Sequence, residues 1–362
     1  MTLRRESYPS PQASPAPCSP AACAQPGSAQ PGSSSSGSAS SVRAPAPHIV
    51  VAAALALLLA GCGSGAAPAT VAPAPVAPSS TASAPVAPTL RESPTCFAVE
   101  GLGPEQRALA DSILASGLDN EALFTLAADP ERGLPLKPMS SLTQRQVALA
   151  RHPDTPSGAR EATDPAHPEL DSLRGLQEVV RSLECGPVRA VLLPFRATQD
   201  STRSVQVVFI HQGRLDDVLS RDAAFWGQWG LVPGADPATV VTVVEYEDSG
   251  ARFRGYGYLF GYPEHAVTFF TEAAAEMART GDFVERDFFQ IPVHSRESGR
   301  FVYAVPKGHE PLAEDLAIRA EAARVLEAYR ARRSAFVNPD RTLRAVHLLR
   351  AWYAEGWHPS GP

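Results

Sequence analysis

Residues 188–195 read VRAVLLPF and residues 204–211 read SVQVVFIH, two apolar, β-branched runs separated by a polar turn over 197–203. Each is read as a strand. Toward the C-terminus, residues 215–229 follow a helical pattern that brings Phe225, Trp226 and Trp229 together. Asp236 before Pro237 is a cap followed by a first-turn proline, so 237–246 is expected to be helix despite its valines. Residues 252–260 are read as a strand and 264–280 as a helix closed by Gly281. Residues 287–294 and 300–305 form an expected hairpin around the turn 296–299. Helices over about 311–333 and 341–355 end the chain. Toward the N-terminus, residues 168–184 place Leu170, Leu173, Leu176, Val180 and Leu183 at helical spacing. Residues 129–167, rich in Pro, Asp and Gly, are read mostly as loop. Asp119 is the expected N-cap of a helix to about Ala128, with Leu118 and Leu123 as its hydrophobic staple. A first helix spans 104–116, with Pro104 in its first turn and Gly117 after its end. Five strands lie among these helices without regular alternation. The expected fold is therefore α+β, a single domain over 96–362, with an antiparallel or mixed sheet of about five strands and helices mainly on one face.

The densest segment is residues 254–265, RGYGYLFGYPEH. On a strand, Gly255, Gly257 and Gly261 would share one face, leaving Arg254, Tyr256, Tyr258, Phe260 and Tyr262 on the other. Glycines allow close approach of another backbone, and an aromatic face can be core or the wall of a ligand groove. The run resembles a Gly-x-Gly-x-x-Gly nucleotide loop but departs from it. Its third glycine falls one residue late, and bulky rings fill the spacers. Packing of strand, turn and helix is the plainer reading. The sharper one is a small-molecule or peptide groove bounded by Arg254, Tyr256, Tyr258 and Tyr262.

Acid–base chemistry could come from Glu264, His265 and His294, although spacing alone cannot set the geometry such a pair needs. No HExxH, Cys-x-x-Cys or Gly-x-Ser-x-Gly occurs after residue 95, which removes the usual support for zincin, thiol-redox and common serine-hydrolase chemistry. His152, His167, His211, His309, His347 and His358 are scattered, so no metal site and no cofactor is expected from ligand spacing. Arg330, Arg332 and Arg333 are read as complements to a helix dipole on a solvated face.

The front of the chain is of a different kind. Residues 1–47 are mostly Ser, Pro, Ala, Gly and Gln, too apolar-poor to offset the entropy of ordering, and are expected to be disordered. Residues 48–62 then read HIVVAAALALLLAGC. The apolar run is too short to span a bilayer but fits a signal-peptide core. Its end, Leu59-Ala60-Gly61-Cys62, resembles the lipobox of bacterial lipoproteins. That resemblance implies diacylglycerol on the Cys62 thiol, cleavage before it, and a membrane-anchored protein of the bacterial envelope whose partner is lipid. A lipoprotein signal starts close to its positive charge, here Arg43, so translation is expected from Val42 with residues 1–41 outside the true product. Residues 62–95, rich in Pro, Ala and Ser, then act as a tether. In polyproline II form at about 3.1 Å per residue they reach roughly 100 Å.

Net charge is −6 over the chain, and removal of residues 1–61 leaves 29 basic and 37 acidic residues. An acidic domain without a basic run is a poor nucleic-acid partner. Lysine occurs only at Lys137 and Lys307, which reads as genome composition. Besides Cys62 the processed chain retains Cys96 and Cys185, and two thiols in an oxidising compartment predict one disulfide. Closing a loop of about 90 residues, it would stabilise by on the order of 4 kcal/mol in the chain-entropy model.

Four strings, EALFTL at 121–126, LKPMS at 136–140, residues 255–270 and FVYAVPKG at 301–308, resemble an uncharacterised family of bacterial exported proteins. The similarity spans most of residues 96–335. It implies one folded unit and, since that family carries no assigned activity, no catalytic residues. Two functions remain in view: a tethered binding or structural module, and an envelope enzyme of hydrolase type, with a groove near Tyr256, Tyr258, His265 and His294.

Overall fold

The computed structural model describes residues 96–151, 161–163, 165–199 and 201–354. The readings placed on residues 1–95, Cys62 among them, lie outside the described residues. The elements in order are α1 (Pro104–Leu118), α2 (Leu123–Leu126), β1 (Met139–Arg151), β2 (Glu161–Thr163), α3 (Glu169–Ser182), β3 (Val188–Gln199), β4 (Thr202–His211), α4 (Gln212–Arg221), α5 (Ala223–Trp226), α6 (Pro237–Tyr246), α7 (Ser249–Leu259), α8 (Glu264–Thr280), β5 (Arg286–Ile291), β6 (Phe301–Pro306), α9 (Ala313–Arg333) and α10 (Ala345–Ala354). The fold is α+β, with an antiparallel four-stranded sheet of order β2-β1-β4-β3 and a separate hairpin, β5-β6. Among the described residues no helix is long and apolar enough to cross a membrane.

Helices cover both faces of the larger sheet rather than mainly one. The reason is written along β4. Successive side chains of a strand point to opposite faces, and the run from Val207 to Ile210 is apolar throughout. Val207 and Phe209 enter one core, with α1, α3, α9, α10 and the β5-β6 hairpin. Val208 and Ile210 enter another, with α4, α6 and α7. A strand apolar on both faces needs cover on both.

Two segments differ from expectation. Residues 139–151, read as loop, form the inner strand β1, paired with β4 from Met139↔Ile210 to Ala148↔Thr202. Its polar side chains hid it. Gln144 and Gln146 both donate to Ser204 Oγ, and Thr202 Oγ1 donates to Gln146, so this end of the pair is held by cross-strand polar bonds. Residues 252–260, read as a strand, lie in helix α7. Asp248 caps it, its Oδ1 accepting from Gly250 N and Ala251 N. Asp119 is no N-cap either. It follows α1, and its carboxylate is held by Arg333 (2.9 and 3.0 Å) and by Tyr329 Oη (2.8 Å). Arg333 therefore ties α9 to the end of α1 instead of serving a solvated face.

Cys96 and Cys185 meet as expected, with sulfurs at disulfide distance and Cα atoms 4.3 Å apart. The entry segment is held further by Phe97 N donating to Glu184 O and by Arg350, whose guanidinium donates to the Cys96 and Phe97 carbonyls at 2.7 and 2.8 Å.

His211 joins β4 to α4 and makes stability depend on pH. Its Nδ1 accepts from Arg214 N at 3.1 Å, capping the helix, and the side chain is buried. Burial, and then the neighbouring Arg214 charge, lower its pKa from 6.5 to about 4. Between those values the unfolded chain holds a proton that the folded chain lacks, so stability falls as pH drops through this window, by roughly 3 kcal/mol. His211→Asn keeps an acceptor for the cap and removes the titration. Urea unfolding midpoints at pH 4.5 and 7 are expected to converge in this variant. An unchanged difference would assign the acid sensitivity elsewhere.

Candidate functional site

The segment 254–265 builds the site as a helix–turn–helix. Asp248 starts α7, and Gly261 ends it in a left-handed conformation (φ 73°). Tyr262 N donates to Gly257 O and Gly261 N to Tyr258 O, each at 3.0 Å, the bond pair of a Schellman cap. Pro263 then caps α8. The glycines keep the close-approach role expected of them, but on a helix: a Cβ on Gly255 would stand 2.8 Å from Val244 Cγ2, and one on Gly257 would stand 2.7 Å from Val267 Cγ2.

Helical geometry separates residues that a strand would align. Tyr256 faces the core beneath α6, its hydroxyl donating to Glu245 Oε2 at 2.5 Å, and burial, reinforced by that carboxylate, raises its pKa. Tyr258 faces the other way. Arg254 donates to Tyr258 Oη at 3.1 Å and to Glu264 Oε1 at 3.0 Å, and Thr268 donates to the same Glu264 oxygen. Arg254, Tyr258 and Glu264 thus form one polar group. Tyr262 packs against Tyr303, ring centroids 5.4 Å apart, and burial together with the Glu121 carboxylate raises its pKa. His294 lies elsewhere, its ring edge-on to Tyr329 and its Nε2 3.8 Å from Asp119 Oδ1.

A groove of about 520 Å³ opens between this turn and the α4–α5 corner. Tyr258, Tyr262 and Glu264 form one wall, Arg221 and Phe225 the other, and Glu314 at the start of α9 closes one side. A second lobe of about 380 Å³ shares Arg221, Tyr262, Pro263 and Glu314, and continues past Arg214, Glu321 and Arg324. The first lobe is aromatic with acidic groups, the second richer in arginine.

Behind the groove lie residues that local reading missed. Asp315 is fully buried. Its Oδ1 accepts from Tyr303 Oη at 2.6 Å, and its Oδ2 accepts from Leu312 N at 2.8 Å and lies 3.0 Å from His309 Nε2. Burial alone would raise its pKa, but these hydrogen bonds outweigh it and hold the carboxyl below the usual range. His265 Nε2 lies 3.2 Å from Asp315 Oδ1, and the His265 and His309 rings stack at 5.3 Å. Glu264 and His265, adjacent in sequence, therefore serve different surroundings, one the groove and the other Asp315.

Lys137 marks the centre of a second buried cluster. Its Nζ donates to Glu121 Oε2 at 2.7 Å and sits over the rings of Phe301 (4.5 Å) and Phe260 (5.2 Å). Thr125 Oγ1 and Ser140 Oγ hydrogen-bond beside it at 2.8 Å. Glu121, Thr125, Lys137, Ser140, Phe260 and Phe301, spread over some 180 residues of sequence, all meet in this cluster. Sequence reading took the rarity of lysine as genome composition and did not single out this place. In comparisons with known protein families, curated proteins and solved structures nothing matches this chain, so its function has to be read from the chemistry of the site itself.

Proposed function

We propose that this chain is a lipid-anchored protein of the bacterial envelope whose folded domain binds a small zwitterionic ligand of peptide type. The lipobox-like sequence ending in Cys62 supports the anchor. The observation that carries the binding reading is the two-lobed groove, where Phe225, Tyr258 and Tyr262 offer apolar faces between Glu264 and Glu314 on one side and Arg214 and Arg221 on the other. Concave, partly aromatic surfaces with a few convergent charges are the usual form of a ligand site. The enzyme reading draws on Glu264 in the groove wall. It is weakened by the inward turn of Tyr256 and the remote place of His294.

Two measurements test the proposal. In a bacterial host the parent chain should incorporate labelled palmitate and sediment with membranes, and Cys62→Ser should do neither; equal labelling would defeat the anchor. Trp226 and Trp229 each pack edge-on against Phe225 and should report groove occupancy by fluorescence. Titration with di- and tripeptides carrying free termini should give saturable changes, weakened about tenfold in Glu314→Gln, a loss of about 1.4 kcal/mol. No response across the panel would favour a structural module.

A further inference from the structure

We propose that His265, His309 and Asp315 form a binding site for a divalent transition ion of the zinc class. Among the described residues they are the one group of three ligating side chains whose donor atoms all lie within 4.8 Å of one another. Ligands about 2.0–2.1 Å from zinc stand about 3.3 Å apart along a tetrahedral edge. Here His265 Nε2 is 3.2 Å from Asp315 Oδ1, and His309 Nε2 is 3.0 Å from Asp315 Oδ2. Both rings present Nε2 to one carboxylate, with ring planes 16° apart.

Two features set this group apart from an ordinary ion pair. First, His265 Nε2 is buried without a hydrogen-bond partner, because its approach to Asp315 is not aligned for one. Second, Asp315 is fully buried, and among the described residues no lysine or arginine lies within ion-pair distance of it; its only neighbours of that kind are these two histidines. A buried carboxylate without a fixed countercharge is costly, and a divalent cation held by two neutral imidazoles supplies one. The surroundings are those of a built site. Tyr303 Oη and Leu312 N fix the carboxylate, and Glu314 Oε2 stands 3.8 Å from His265 Nδ1, near the ring but beyond hydrogen-bond distance. Two imidazoles and one carboxylate favour zinc, cobalt, nickel, copper or iron over magnesium or calcium. Three protein ligands leave a fourth coordination position for water or another donor. The site stands whether or not the groove holds a ligand.

The test uses the full chain with Cys18, Cys23 and Cys62 replaced by Ser, so that no free thiol competes. Cobalt(II) should bind and give the visible absorption of a low-coordinate ion. Zinc should displace it, and excess magnesium or calcium should not. His265→Gln and His309→Gln should each weaken binding by at least about tenfold, while His167→Gln leaves it unchanged. Should either variant fail to fold, the parent answers alone: zinc must protect His265 and His309 from diethyl pyrocarbonate, mapped by mass spectrometry. Absence of the cobalt spectrum, equal affinity in the folded variants, or modification of both histidines regardless of zinc would each overturn the site.

Discussion

Glu121→Gln is expected to destabilise the domain by about 3–5 kcal/mol at neutral pH, because removing one partner of a buried ion pair strands the other. Lys137 is fully buried, and the Glu121 carboxylate 2.7 Å away is its ion-pair partner. Burial already lowers the Lys137 pKa, with Glu121 opposing that shift. Without Glu121 the lysine folds neutral. Giving up its proton at pH 7, from an unfolded pKa of about 10.4, costs roughly 5 kcal/mol, which caps the loss. The unfolded variant would keep that proton up to about pH 10.4 while the folded variant lacks it. Stability of the variant must therefore rise with pH, by about 1.4 kcal/mol per unit. Urea unfolding at pH 7 and 9 measures both effects. A flat profile with a loss below about 1 kcal/mol would show that the pair contributes little. Combining Glu121→Gln with Lys137→Met removes the buried charge and should recover most of the stability.

Cys185→Ser should cost on the order of 4 kcal/mol, since the Cys96–Cys185 link closes a loop with a sequence separation of 89. For a domain of this size that is a fall in melting temperature of roughly 10 °C. Reductant should produce the same fall in the parent and no further change in the variant. The loss should stop short of unfolding, because Arg350 and the Phe97–Glu184 backbone bond still hold the entry segment. A melting temperature that does not respond to reductant would mean that the two cysteines contribute only as small buried apolar groups.

How much of this could be read along the chain depended on the range of the forces involved. Helix α8 spans 264–280 as expected, and α6 starts at Pro237 after Asp236, whose carboxylate accepts from Thr239 N. These ends are set by caps and a terminal glycine within a few residues, and Gly281 takes a left-handed φ of 81°. The runs of β3, β4 and the β5-β6 hairpin were visible for a similar reason, since their apolar, β-branched residues announce themselves. The pairing of Cys96 with Cys185 was expected from the count of two thiols and an expected oxidising compartment.

Long-range contacts settled the rest. Strand β1 carries little apolar signal, because its backbone is paired with β4, some sixty residues on, and its glutamines are satisfied across the ladder. The Gly–Tyr alternation of 255–258 imitates a strand, but the Asp248 cap and packing on Val244 and Val267 make it helix, and that choice parts Tyr256 from Tyr258. Asp315 is one of four acidic residues on α9 until β6 brings Tyr303 to it and α8 brings His265. Caps, turn residues and apolar runs act between neighbours and are written in the order of the residues. A buried carboxylate, a lysine between two rings and a groove exist only once distant segments meet, because their chemistry depends on what each side chain finds opposite it.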